Sequence, residues 1–109
     1  MKKPLLYLAA SMLMASGAAH ADTAFVYVPD MSTLQWQIDS KGVVFLRNLN
    51  TYNSAFLGCC YNYSVDTTTV AGKSIWAAML TRISLAQPMY LGFDNGATVP
   101  GPVSYAGIW

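Results

Sequence analysis

A chain of 109 residues carries six Lys and Arg, five Asp and Glu, and 54% apolar residues, which fits one small domain close to neutrality. No basic cluster is present to neutralise phosphates, so nucleic acid is excluded as a partner. Glutamate is absent and the single histidine is His20, which leaves too few titratable groups for the common nucleophilic, acid–base or zinc chemistries. The chain is therefore read as a non-enzyme with no cofactor and no metal.

Lys2 and Lys3 precede an apolar run, Leu5 to Ala15, and then the small residues leading to Ala19-His20-Ala21. That is the pattern of a cleavable secretory signal over residues 1–21, with cleavage expected between Ala21 and Asp22. The run is shorter than the ~20 residues that span a bilayer, so no membrane insertion is expected once the signal is removed. The expected destination is the periplasm or the cell exterior. The domain that remains, 22–109, holds Lys41, Arg47, Lys73 and Arg82 against Asp22, Asp30, Asp39, Asp66 and Asp94. The aspartates are scattered, and each reads as a turn or cap residue.

Ala24 to Val28 is β-branched and aromatic, and Pro29-Asp30 ends it. Leu34 to Asp39 alternates, with Leu34, Trp36 and Ile38 predicted on one half-buried face. Ser40-Lys41-Gly42 reads as a turn before the apolar run Val43 to Leu46. Asn48 to Ser54 is polar and turn-rich, and Leu57 to Asp66 alternates again as a strand. Ile75, Trp76, Met79, Leu80 and Ile83 recur at the helical period, which predicts a helix over about 73–86, ended by Pro88. Met89 to Phe93 is a strand, Asp94-Asn95-Gly96 a turn, Thr98 to Pro102 a loop, and Val103 to Trp109 a last strand with Gly107 as a bulge.

Counting the first two runs as one bent strand gives an α+β, β-rich chain. Its expected fold is a small five-stranded antiparallel OB-like barrel, with the helix between strands 3 and 4. A sheet with the helix packed on one face is the competing architecture.

Cys59 and Cys60 are adjacent. An exported pair normally signals a disulfide. Adjacent Cα atoms nevertheless lie about 3.8 Å apart across a trans peptide, below the roughly 4.4–6.8 Å usual for a disulfide, so adjacent residues are a poor pair. One buried and one part-exposed thiol, a vicinal ring, and a disulfide between protomers all remain open. The pair is a candidate for redox chemistry or an intermolecular bridge.

The stretch Tyr61 to Lys73, with Asp66-Thr67-Thr68 and Gly72-Lys73, together with Gln87 to Phe93, resembles a group of small exported bacterial proteins. More distantly, Ser74-Ile75-Trp76 and Gln87-Pro88-Met89-Tyr90-Leu91 are similar to the same region of the subtilase-cytotoxin and pertussis-like toxin B subunits. The resemblance implies an OB-type fold and, at a remove, glycan binding by a ring-forming subunit. The chain departs from those subunits in its cysteines, which are adjacent rather than spaced, and no sugar-binding residue is carried over.

Two functions are expected from these residues. One is an interaction protein that pairs with another protein or with itself as a homo-oligomer, through an edge strand or the apolar pair Ile108-Trp109. The alternative is a monomeric module for a glycan or other small ligand, with Asn50, Tyr52 and Asn53 as its candidate binding loop. Trp36 and Trp76 are read as packing residues.

Overall fold

The computed structural model describes residues 23–109. The expected signal segment, with its cleavage site at Ala21 and Asp22, lies outside them.

Strand β1 (Ala24–Val28) is followed by a short 3-10 turn, Met31–Thr33, and strand β2 (Trp36–Ile38). Strand β3 (Val43–Leu46), a second 3-10 turn (Leu49–Thr51) and strand β4 (Tyr63–Asp66) come next. Helix α1 (Val70–Leu85) leads to β5 (Met89–Phe93), β6 (Gly101–Pro102) and β7 (Tyr105–Gly107). The strands form two sheets, ordered β1-β5-β7 and β2-β3-β4-β6. All neighbours are antiparallel except β4 and β6, which pair in parallel.

The α+β, β-rich character is present, but the expected five-stranded closed barrel is not. Among the described residues seven strands lie in two open sheets, and the helix falls between β4 and β5. The first cause is at Pro29-Asp30. Asp30 caps the 3-10 turn by accepting from the Ser32 N–H at 2.9 Å. The chain thereby leaves one sheet before entering the other, so β1 and β2 are separate strands rather than one bent strand. The second cause is the Gly101-Pro102 segment, read as loop in the sequence. Its Gly101 N–H donates to the Asn62 carbonyl at 2.8 Å, which adds a short parallel strand to β4. The seam where a barrel would close is left as the edges β1, β7, β2 and β6.

The helix begins three residues earlier than its apolar periodicity predicts. Thr69 is the N-cap, and its Oγ1 accepts from the Gly72 N–H at 3.0 Å. Gly72 seats the first turn, because a Cβ there would lie 1.8 Å from the Asp66 carbonyl oxygen. At the other end Ala86 takes a left-handed conformation (φ 53°), and its N–H reaches the Arg82 and Ile83 carbonyls. Trp76 and Met79 are buried by the helix, whereas Leu80 lies off the buried face.

The core lies between the sheets and the helix. Val26 and Val28 of β1 and Met89, Leu91 and Phe93 of β5 point inward toward Val44, Leu46, Tyr63 and Val65. Each such side chain contributes about 1.5–3 kcal/mol when fully buried. Phe56, Tyr63 and Phe93 form a ring cluster with centroids 5.0–5.4 Å apart. Tyr63 resolves its buried hydroxyl by donating to the Ala97 carbonyl and accepting from the Leu57 N–H at 2.7 Å. The strand predicted from Leu57 is regular only from Tyr63, and the residues before it form the loop that Tyr63 holds. Gly107 is not a bulge: it pairs in register with Tyr90.

Candidate functional site

Strand alternation sends Val26 and Val28 into the core and Phe25 and Tyr27 outward. On β5 the outward positions are Tyr90 and Gly92, and on β7 they are Tyr105 and Gly107. The register aligns them as two rows, Phe25–Gly92–Tyr105 and Tyr27–Tyr90–Gly107. The outer face of the three-stranded sheet is therefore aromatic, with two glycines as its floor.

The rings touch. Tyr27 and Tyr90 have centroids 4.8 Å apart. Trp109 stacks on Tyr90 at 5.0 Å and meets Phe25 edge-on at 5.5 Å. A Cβ on Gly107 would lie 3.4 Å from the Trp109 ring, so the glycine lets the indole approach the strand. Phe25, Tyr105 and Trp109 frame a depression of about 250 Å³. Phe25 is 46% exposed, Tyr105 49% and Trp109 62%, and no charged residue belongs to β1, β5 or β7. Aromatic rings on cross-strand glycines also have a purely structural use as covers. Each such ring buries one face on the sheet and leaves the other in water, so the same rings that cover the glycines also present an apolar surface.

A second concavity, about 580 Å³, lies between the start of α1 and the β4–β6 edge. Ser64, Asp66, Thr69, Asp94 and Ser104 are its polar lining residues, and Ile75 and Val103 form part of its apolar wall. Hydrogen bonds from the Thr68 hydroxyl and then from the Thr68 backbone N–H hold the Asp66 carboxyl below its ordinary value.

The loop residues singled out in the sequence lie elsewhere. Asn50 is exposed on the second 3-10 turn, and Tyr52 and Asn53 follow it. Tyr52 and Asn53 use polar atoms on the fold itself: the Tyr52 hydroxyl is 2.7 Å from Thr33 Oγ1, and Asn53 Oδ1 accepts from the Ala55 N–H at 3.0 Å. Neither concavity is lined by these three residues. Trp76 packs in the core, but Trp36 is 40% exposed at the β2 edge, with its ring 5.0 Å from Trp76.

The structure joins Cys59 and Cys60 to each other. Among the described residues no three His, Cys, Asp or Glu side chains come together as a metal site, and no helix is long and apolar enough to cross a membrane.

Sequence reasoning named Ile108-Trp109 and the β1 edge as surfaces for a partner but missed that Trp109 and β1 share one face. Both alternating sets on β1 are apolar, so periodicity could not say which side was outside. The usable signal was the pair of glycines opposite aromatic positions. No protein-family model matches this chain, and neither a curated protein nor a solved structure matches it.

Proposed function

We propose that the chain is an exported, non-enzymatic interaction protein that associates with a second copy of itself through the outer face of the β1-β5-β7 sheet. The observation that carries this reading is the continuous, uncharged aromatic face of Phe25, Tyr27, Tyr90, Tyr105 and Trp109. An apolar patch of this kind is what a soluble chain ordinarily covers. Because no side chain on it is charged, two copies meet without like-charge repulsion, and aligned sheet-on-sheet packing suits a two-fold contact. Tyr and Trp are also the residues enriched at the centres of interfaces. The resemblance to ring-forming toxin subunits points the same way, although the barrel it implies is not formed. Export rests on the amino-terminal pattern of the sequence.

The glycan or small-ligand reading is favoured by a different observation, the mixed polar and apolar concavity at Asp66 and Asp94. One experiment separates the two. Protein purified from the periplasm or medium of an expressing bacterium is measured by light scattering, as wild type and as Trp109→Ala. Self-association predicts a discrete wild-type oligomer that the variant shifts toward monomer. A wild-type monomer over the whole accessible concentration range rejects it. Glycan-array binding by that monomer would instead establish the second reading.

A further inference from the structure

Away from the aromatic face, the loop before β4 brings Cys59 and Cys60 against Arg47, the residue after β3. Arg47 is anchored by its backbone, whose N–H donates to the Gln35 carbonyl at 2.8 Å. Its Nη2 donates to both sulfurs, at 3.1 Å to Cys60 and 3.4 Å to Cys59, while its Nε is buried with no partner. Cys59 is exposed and Cys60 half-buried.

We propose that Cys59–Cys60 is a thiol–disulfide exchange site whose reduced form is favoured by Arg47 and whose co-substrate is a dithiol. In the oxidised form the guanidinium faces two neutral sulfurs, which are weak acceptors. In the reduced form it faces a thiolate, an anion that offsets its charge and accepts a stronger hydrogen bond. A thiolate of the dithiol attacks the exposed Cys59 sulfur. The Cys59–Cys60 bond breaks, and Cys60 leaves as the thiolate held by Arg47. The second thiol of the reductant, deprotonated, then attacks its own sulfur in the mixed disulfide and releases Cys59, which takes up a proton. Two electrons pass to the protein, and the dithiol departs as its cyclic disulfide. Running the steps backward oxidises a dithiol. The better-stabilised leaving sulfur is the faster one to leave, which assigns attack to Cys59 and departure to Cys60.

The test equilibrates the purified protein with graded ratios of reduced to oxidised dithiothreitol, traps thiols with iodoacetamide and locates them by mass spectrometry. In the wild type, alkylation of Cys60 should begin well below the pH of an ordinary thiol, ~8.5. Arg47→Gln should shift the equilibrium toward the disulfide by about tenfold and move Cys60 alkylation to higher pH. Equal equilibria in the two proteins, or an ordinary alkylation profile at Cys60 in the wild type, would overturn the proposal. The wild-type profile decides on its own should the variant fail to fold. A wild type that keeps two free thiols in oxidised dithiothreitol also rejects it.

Discussion

The Phe25 ring lies across Gly92: a Cβ on residue 92 would come within 2.7 Å of ring atom Cε1 and 3.0 Å of the Tyr105 ring. Both rings are surface side chains with room to swing away. Gly92→Ala should therefore leave the fold almost intact, within about 1 kcal/mol of wild type in urea unfolding. It should nevertheless disorganise the aromatic face, and light scattering should show weakened self-association. Unchanged association would mean that the arrangement of these rings is not what holds the copies together.

Gly72 presents the opposite case. A Cβ there would sit 1.8 Å from the Asp66 carbonyl oxygen, which is backbone and cannot rotate out of the way. Gly72→Ala must push the first turn of α1 off the end of β4, at a cost expected to exceed about 3 kcal/mol. A urea midpoint near wild type would show that the helix does not seat against β4 as described.

These two glycines also mark what was legible in the sequence. Ala24–Val28, Val43–Leu46 and Met89–Phe93 are read correctly as strands because each is a compact apolar run with a clear terminator. The helix is found from its Trp76 and Met79 spacing, but its start is missed, because Thr69 acts through a cap bond and Val70 and Ala71 carry no apolar periodicity. Strand pairing was the harder problem. Nothing local in Gly101-Pro102 announces a parallel partner at Tyr63 and Ser64, far back along the chain; the pairing depends on the Asn62 carbonyl being presented at that edge. The candidate site was half visible. Ile108-Trp109 stood out as apolar and β1 as an edge, whereas their meeting over Gly92 and Gly107 follows only from the β1-β5-β7 order.

Tyr63 tests how the loop before β4 is held. Its buried hydroxyl links the Leu57 N–H to the Ala97 carbonyl, so one oxygen ties two loops to the core. Tyr63→Phe keeps the ring and its packing on Phe56 and Phe93 but strands both backbone groups. The expected loss is about 1–3 kcal/mol in urea unfolding, with faster amide exchange at Leu57. Wild-type stability together with wild-type exchange would show that these groups are satisfied in another way.

Asp66 gives the fold an acid sensitivity of known sign. The Thr68 hydroxyl, followed by the Thr68 N–H, donates to its Oδ1 and lowers its pKa in the folded state. A carboxyl whose folded pKa lies below its unfolded one contributes stability that is full above the unfolded value and lost as pH falls through the folded one. Asp66→Asn keeps the shape and an acceptor oxygen but removes the charge. The variant should be less stable than wild type at pH 7, and the gap should close as pH drops through the ordinary carboxylate range, ~3.9, and below it. Thr68→Ala should narrow that gap only in part, because the backbone N–H still donates to Asp66. Urea midpoints of the three proteins across this range supply the test. A difference between wild type and Asp66→Asn that does not change with pH would mean that the charge of Asp66 plays no part in holding the start of the helix.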